Sequence, residues 1–441
     1  MSASKEATMS LGLPNPQSMP LLSTASLSSS SLSSVDTQGD EQSIRSRTTT
    51  NPLMDSISSS KTIELFSRVK EMQEAGQAVV NLCLGEPDYP PPAAVRDAVM
   101  NAVCKGETRY THVTGTLALR KAIQEDLLER KKVNYDVNQI IVTNGAKQAI
   151  FEGILATVGV GDEVVVPGPF WPSYPEMVKL AGATPVIVPT AANDGFLLSP
   201  QQLRETLLSH QKAKLVILCN PSNPTGAVYP YDHLQKLCAV LEEFPHVWVL
   251  SDEIYERIVY DKQECPSLAS FPGFRERTLT VNGFSKAYSM TGLRLGYLAT
   301  AVDALKVVSK IQSQLTSCAS SISQAAGVAA LKDVSDQELR DNVNKLCEKR
   351  DFVLKELSSM PGVEVATKPQ GAFYVLPDVS SYFNGNDVKF CMELLDRDQL
   401  ALVPGSSFGA PGTVRISYAT SFDELELAMS KLRSFINQVP S

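Results

Sequence analysis

The segment TLTVNGFSKAYSMTGLRLGY (residues 278–297) carries the pattern that decides the fold. Its first part, TLTVNG, is short, apolar and rich in β-branched residues, which is typical of a buried strand. The strand pattern ends in small residues around a single lysine, Lys286, and Arg294 follows eight positions later. A lone lysine at a strand end is usually exposed to solvent. Whether Lys286 instead belongs to a site depends on the residues at the ends of the other strands.

Further apolar runs alternate with helical patterns between residues 137 and 300. This alternation predicts an α/β fold with a mostly parallel sheet and helices on both faces. A long helical pattern follows from residue 335, and a strand-helix-strand-helix pattern covers 362–438. The other strand-like runs are QIIVTN, DEVVVPG, TPVIVP, KLVILCN, VWVLSD and LGYLAT.

The composition excludes several classes of protein. The chain has 441 residues, 43% of them hydrophobic, and a formal charge of -8. It can therefore bury a large core, and it shows no basic character that would favour nucleic-acid binding. No apolar run is long enough for a transmembrane helix. The eight cysteines form no CxxC pair and the four histidines have no metal-ligand spacing, so we expect neither a disulfide framework nor a metal site.

Residues 1–57 differ from the rest because they are rich in serine and threonine and poor in apolar residues. We expect a disordered extension. Two interpretations stay open, a nonspecific tail and an organelle-targeting segment. Targeting segments are rich in serine, but they are also rich in arginine and poor in acid, whereas this one has only Arg45 and Arg47 and contains Asp36 and Glu41. The compartment is accordingly left open between the cytoplasm and a plastid or other organelle.

Polar residues follow the predicted strands where a ligand would bind. In an open α/β sheet, ligands lie beyond the carboxyl ends of the strands. The turn of small residues at 144–148 leads into a helix and is suited to bind an anion. Asn223 lies in the loop NPSNPTG. Asp252 is the last residue of VWVLSD, and Tyr255 follows three positions later. Each of these features, taken alone, can also be explained without a ligand, as a turn, a helix cap or a packing residue. Together with Lys286 they predict one site.

That set of groups suits pyridoxal 5′-phosphate. A buried lysine has a lowered pKa and can form a Schiff base with the cofactor aldehyde. An aspartate would keep the pyridine nitrogen protonated, which makes the ring an electron sink. Asparagine and tyrosine can hydrogen-bond the ring oxygen, and the turn, a serine and an arginine can hold the phosphate.

The chain resembles the class I (fold-type I) pyridoxal-phosphate aminotransferases over residues 58–438, most closely the plant and bacterial bifunctional aspartate/prephenate aminotransferases. The resemblance implies a large domain with a seven-stranded, mostly parallel sheet and a smaller α/β domain. It implies a small-domain segment at 58–104, the cofactor-binding domain at 105–335 and the rest of the small domain at 336–441. The motifs that carry it are LGEPDYPPP, TRYTHVTGTLALRKAI, VTNGAKQA, PGPFWPSYPE, CNPSNPTG, SDEIYE, NGFSKAYSMTGLRLGYL, PQGAFYV, VPGSSFG and VRISYAT.

The resemblance also implies roles for individual residues. Lys286 would be the Schiff-base lysine and the acid-base group, with Asp252 and Tyr255 as the other catalytic residues. The cofactor contacts would be Ala146, Lys147, Trp171, Asn223, Asp252, Tyr255, Ser285, Lys286 and Arg294, with Tyr110 reaching the phosphate of the neighbouring subunit of a homodimer. The substrate contacts would be Gly85, Thr62, Lys147, Trp171, Asn223 and Arg415, where Arg415 clamps the α-carboxylate.

The implied reaction moves an amino group between aspartate or glutamate and a 2-oxo acid, with prephenate as a further acceptor. Thr62 and Lys147 would meet the second carboxylate, although Lys147 could serve only the phosphate. Departures at Tyr89, Pro90 and Pro91 bear on specificity. The alternatives are another fold-type I enzyme, such as an aromatic or alanine aminotransferase, a lyase or a decarboxylase, and a non-catalytic use of the fold. GSSFG (405–409) matches a serine-hydrolase pattern, but no histidine follows Ser407, so we reject that assignment.

Overall fold

The computed structural model of the chain describes residues 51, 54, 57 and 61–439. The serine-rich extension predicted for 1–57 therefore lies outside the described residues, apart from those three positions. Within the described part, no helix is long and apolar enough to cross a membrane.

Seven strands form the main sheet, and each predicted apolar run supplies one of them. The strands are β2 (Ile140–Thr143), β3 (Glu163–Gly168), β4 (Thr184–Pro189), β5 (Ala213–Cys219), β6 (Trp248–Asp252), β7 (Thr278–Gly283) and β8 (Gly296–Ala299), after a short β1 (Val80–Asn81) that lies outside this sheet. Along the sheet the order is β2-β8-β7-β6-β5-β3-β4. Of these seven strands, β8 alone runs opposite to the others. The predicted α/β fold with a mostly parallel sheet is confirmed.

Helices connect these strands and continue beyond them. Helices form between the strands of the predicted alternation, for example at 146–157 and 231–242, and the long helical pattern predicted from residue 335 forms a helix at 336–358. The helices are α1 (Lys61–Glu74), α2 (Ala93–Cys104), α3 (Leu117–Lys131), α4 (Ala146–Thr157), α5 (Ser173–Leu180), α6 (Pro200–Ser209), α7 (Tyr231–Glu242), α8 (Val302–Leu315), α9 (Ser321–Lys332), α10 (Asp336–Ser358), α11 (Asp387–Asp398) and α12 (Phe422–Ile436).

Alternating side chains on each strand bury both faces of the sheet. On β5, Leu215 and Ile217 pack into the cluster that contains α4, whereas Val216 and Leu218 pack into the cluster that contains α6 and α7. Successive side chains on a strand point to opposite faces. The near-continuous apolar character of these strands therefore follows from helices on both sides.

Short strands near the C-terminus build two smaller sheets. β10 (Leu400–Ala401) pairs in parallel with β1, which joins positions more than 300 residues apart. β12 (Val414–Ser417) lies between β11 (Val403–Pro404) and β9 (Tyr374–Val375). This second sheet holds Arg415 in its central strand.

A buried ion network fixes the chain just after β6. Lys131, at the end of α3, places its ammonium nitrogen 3.2 Å from Glu256 and 3.7 Å from Glu253. Arg130 also pairs with Glu256 at 2.7 Å, and Arg257 pairs with Asp126. Buried charges are tolerated when they are paired in this way. The network ties the segment that follows Asp252 to α3.

Candidate active site

A cavity of about 1000 Å³ lies at the carboxyl ends of the parallel strands. The register pairs Cys219 with Asp252 and Asp252 with Val281, so three neighbouring strands end side by side. The size is that of a small-molecule site. Among the predicted site residues, the cavity lining includes Gly85, Ala146, Lys147, Trp171, Asn223, Asp252, Tyr255, Ser285, Lys286, Arg294 and Arg415.

Lys286 lies in the loop between β7 and β8 and points into the cavity. Its ammonium nitrogen donates a hydrogen bond to the carbonyl oxygen of Gly85 at 2.5 Å. Burial, helped by the cations Arg415 and Arg294, lowers its pKa to about 8 against the opposing effects of Glu86 and Asp252. A lysine with such a pKa has a substantial neutral fraction near neutral pH and can act as a nucleophile.

Asp252, the last residue of β6, also lines this cavity and is only 3% exposed. Its Oδ2 accepts a hydrogen bond from the Tyr174 hydroxyl at 2.6 Å, and its Oδ1 accepts one from the Ile254 N–H at 3.2 Å. Burial raises its pKa to about 6, although both hydrogen bonds and Lys286 oppose that rise. Among the described residues, no cation lies within 4 Å of this carboxylate, so the cavity offers a place for a cationic ligand group.

The start of α4 forms an anion cradle beside Lys286. Gly145 precedes the helix with φ +84°, and no side chain caps the free N–H groups of the first turn. A Cβ on Gly296 would lie 2.5 Å from the Ala146 nitrogen, and one on Gly145 would lie 2.6 Å from Arg294. The two glycines thus let β8, the turn and the Arg294 guanidinium approach one another. A helix N-terminus with an adjacent guanidinium is suited to a phosphate.

Arg415 is a buried guanidinium without an acidic partner among the described residues. It donates to the side-chain oxygen of Asn223 at 3.1 Å and to the carbonyl oxygen of Cys83 at 2.6 Å. Its Nε is buried and unpaired, and the guanidinium lies over the rings of Tyr374 and Phe408, 4.4 and 4.9 Å from their centroids. Buried charge is costly unless it is paired. The cavity is therefore prepared for an anion at this end.

One pair of tyrosines and one lysine–tryptophan contact complete the walls. The Tyr255 and Tyr374 hydroxyls are 2.9 Å apart. The Lys147 ammonium nitrogen lies over the Trp171 ring, 4.9 Å from the centroid, and burial and Arg294 lower its pKa. Lys147 thus faces the cavity in front of Trp171.

Tyr174 and Tyr374 are two cavity residues that were not among the predicted site residues. Both lie inside quoted motifs, PGPFWPSYPE and PQGAFYV, and both line the cavity. A tyrosine in an apolar stretch is normally interpreted as a packing residue, because the direction of its hydroxyl depends on contacts made far along the chain.

Two predicted residues are not brought into the cavity by this chain. Tyr110 is 89% exposed and is not part of the lining. The side chain of Thr62 lies outside what the structure describes, although its backbone belongs to α1.

Comparison with known proteins identifies close relatives of the chain. Residues 77–432 match the family described as aminotransferase class I and II. The chain is 44% identical over 394 residues to the "Bifunctional aspartate aminotransferase and glutamate/aspartate-prephenate aminotransferase" of Petunia hybrida, an alignment covering 87% of this chain and 82% of that protein. It is 45% identical over 395 residues to an aspartate aminotransferase of Pinus pinaster, covering 87% and 80%.

Solved structures agree with this likeness. The aspartate aminotransferase of Rhizobium meliloti has a TM-score of 0.85 at 37% identity, covering 89% of this chain and all of that one. The Thermus thermophilus aspartate aminotransferase with maleate has a TM-score of 0.83 at 34% identity, covering 88% of this chain and all of that one.

Proposed function

The chain belongs to the class I and II aminotransferases, and we propose that it moves an amino group between aspartate or glutamate and a 2-oxo acid on pyridoxal 5′-phosphate held by Lys286. The acceptors would be 2-oxoglutarate and oxaloacetate. The names of the petunia and pine relatives support this substrate class. The petunia relative's name also supports prephenate as a further acceptor.

The cavity fits pyridoxal phosphate in three independent ways. Lys286 supplies a buried amine with a lowered pKa for the aldehyde. Asp252 supplies for the ring nitrogen a carboxylate that has no cation within 4 Å among the described residues, and the cradle at Gly145 and Gly296 supplies N–H groups for the phosphate. Asn223 and Tyr255 would contact the ring oxygen, and Trp171 would cover a ring face.

The reaction needs an electron sink and a base. Pyridoxal phosphate supplies the electron sink when it is bound. As the neutral amine, Lys286 Nζ would accept the proton from the substrate Cα, and as the ammonium it would return a proton to the reacting group. Its pKa of about 8 suits both tasks. Asp252 would stabilise a positive charge at the bottom of the cavity. Arg415 would hold the α-carboxylate in the plane that brings the Cα hydrogen to Nζ.

The proposal rests mainly on the burial of Arg415 in the cavity. Lys286 and Asp252 alone would suit any enzyme that uses pyridoxal phosphate. A buried guanidinium with no acidic partner among the described residues calls in addition for a carboxylate in the same cavity, which an amino-acid substrate supplies. Lys147, in front of Trp171, would meet the second carboxylate of aspartate or glutamate, with Thr62 beside it.

We also propose a homodimer in which Tyr110 contacts the phosphate held by the neighbouring subunit. Its 89% exposure leaves the ring free to reach another chain. Nearby positions at the start of α3 and at the end of α2 expose apolar side chains as well, Leu117, Met100 and Val103.

The test is a half-reaction with one amino donor. Purified protein loaded with pyridoxal phosphate is mixed with aspartate in the absence of any 2-oxo acid. We expect the absorption band of bound pyridoxal to convert to that of pyridoxamine, with one oxaloacetate formed per site. Release of ammonia or CO2 would instead indicate a lyase or a decarboxylase, and a colourless protein that binds no cofactor would contradict the proposal altogether.

A further inference from the structure

Tyr174 touches two of the proposed cofactor contacts at once. It lies in the first turn of α5 and is only 2% exposed. Its hydroxyl donates to Asp252 Oδ2 at 2.6 Å, a short hydrogen bond to a carboxylate. Its ring meets the Trp171 ring edge-to-face, with centroids 5.4 Å apart and an interplanar angle of 84°.

We propose that Tyr174 is a positioning residue, which keeps Asp252 ionised and aimed at the cofactor ring nitrogen while it fixes the Trp171 ring that covers the cofactor face. This inference rests on the proposed function, because it needs pyridoxal phosphate as the ligand. It assigns to the tyrosine a purpose beyond core packing.

At physiological pH the Tyr174 hydroxyl keeps its proton, so it acts as the donor in the hydrogen bond to Asp252. Burial, and then the negative Asp252, raise the pKa of Tyr174 well above its usual value. The proton therefore stays on the phenol, and the hydrogen bond favours the ionised carboxylate. Removal of the hydroxyl would leave Oδ2 buried without its donor, and the carboxylate would take up a proton more readily.

The groups that face Asp252 come from several elements. Tyr174 approaches from α5, Cys219 from β5 and Lys286 from the loop after β7, and the Ile254 N–H approaches from the chain that follows β6. Burial and the nearby Asp252 keep Cys219 protonated, since they raise its pKa above the usual value. Lys286 would be neutralised by bonding to the cofactor. Tyr174 then remains the strongest side-chain donor to the carboxylate.

The experiment compares cofactor binding by two tyrosine variants. Cofactor-free wild type, Tyr174→Phe and the control Tyr135→Phe are titrated with pyridoxal phosphate by calorimetry from pH 8 to pH 6. Tyr135 is also fully buried, but its hydroxyl lies 3.1 Å from that of Thr280, and Tyr135 is not part of the cavity lining. It therefore reports the effect of deleting a buried hydroxyl elsewhere.

We expect Tyr174→Phe to raise the dissociation constant about 10- to 100-fold, the range for a lost hydrogen bond to a charged group. The ratio to wild type should grow as the pH falls, because the variant's Asp252 is protonated earlier. Tyr135→Phe should stay within about twofold of wild type at every pH. In an Asp252→Asn background, Tyr174→Phe should add little further loss.

Three results would speak against the inference, and one would speak against the function. A pH-independent ratio, unchanged affinity, or a Tyr174→Phe variant that does not fold while Tyr135→Phe does would assign the hydroxyl to core packing. Failure of the wild type itself to bind pyridoxal phosphate would instead overturn the proposed function.

Discussion

Three buried ionisable residues define the chemistry of the cavity at the scale of single side chains. Lys286 is held with a lowered pKa, Asp252 with a raised pKa, and Arg415 without an acidic partner among the described residues. Each arrangement costs free energy in the protein alone. Active sites commonly keep such destabilising groups because the ligand compensates for them. The cost itself can be measured.

Asp252→Asn should stabilise the cofactor-free protein at alkaline pH. Burial raises the Asp252 pKa to about 6, so the folded state favours the neutral acid. The penalty is absent below the unfolded pKa near 4, grows between about pH 4 and 6, and is fully present above about pH 6. Because Asn replaces only one of the two acceptor oxygens, we expect a gain of about 1–2 kcal/mol in unfolding free energy at pH 8 and none at pH 4.

Urea unfolding of the cofactor-free protein at pH 8 and pH 4 measures this gain. The exposed Asp97→Asn variant is the control and should unfold like wild type. If Asp252→Asn were less stable than wild type at pH 8, burial of the ionised carboxylate would not destabilise the cofactor-free protein.

Lys147→Ser should change substrate preference more than overall rate. The Lys147 ammonium faces the cavity over Trp171, where it would pair with the second carboxylate of a dicarboxylic substrate. We expect kcat/KM for aspartate to fall about 10- to 100-fold more than kcat/KM for alanine. The exposed Lys306→Ser serves as the control. Equal losses for both amino acids would assign Lys147 to the phosphate alone.

The junction of β8 with the start of α4 matters most at the scale of elements. Thr143 of β2 pairs with Gly296 of β8, so the helix begins directly against the neighbouring strand. A side chain at 296 would collide with the backbone of Ala146. The phosphate cradle can therefore form only if residue 296 has no side chain, as in glycine.

Gly296→Ala should weaken both the fold and cofactor binding. The added methyl group would meet backbone atoms 2.5 and 2.6 Å away, which cannot move as a side chain can. We expect a loss of about 1–3 kcal/mol in unfolding free energy and weaker binding of pyridoxal phosphate, as seen by urea unfolding and titration. Gly292→Ala, where nothing lies within 4 Å, is the matched control and should bind like wild type. Normal binding by both variants would mean that the cradle is not where the phosphate lies.

The elements were more predictable from sequence than the contacts between them. Each apolar run became a strand of the main sheet. The runs are short and most are rich in β-branched residues, which favours a strand where periodicity alone does not separate strand from helix. The connection between β7 and β8, residues 284–295, contains no α-helix, and without a crossover helix β8 returns antiparallel beside β7. Tyr174 and Tyr374 could not be assigned, because their hydroxyl partners, Asp252 and Tyr255, are 78 and 119 positions away.

Two features belong to the whole molecule, the proposed homodimer and the proposed division into domains. Tyr110 is exposed on this chain and absent from its own cavity lining. Residues 80–81 pair with 400–401, which is compatible with the proposed small domain formed from 58–104 and 336–441. Both features would place functional groups from distant parts of the assembly around one cofactor.

Mixed dimers test the assignment of Tyr110. Tyr110→Ala and Lys286→Ala should each be nearly inactive alone. After unfolding and refolding together, the hybrid dimer would have one site with Lys286 from the first chain and Tyr110 from the second. We expect the mixture to recover about a quarter of wild-type activity, from half the dimers with one active site each. No recovery would mean that Tyr110 serves its own chain, and full activity of Tyr110→Ala alone would mean that it serves no site. Size-exclusion chromatography should show the dimer itself.

The most direct measurement of the central claim is to locate the covalent link to the cofactor. The protein is incubated with pyridoxal phosphate, treated with borohydride to make the link irreversible, digested and mapped by mass spectrometry. The amine of Lys286 lies in the cavity near Asp252, and the pKa of this amine is lowered to about 8. We predict that the cofactor mass is found on the peptide containing Lys286 and that Asp252→Asn reduces its yield. A label on Lys147 or another lysine, or none at all, would contradict the account.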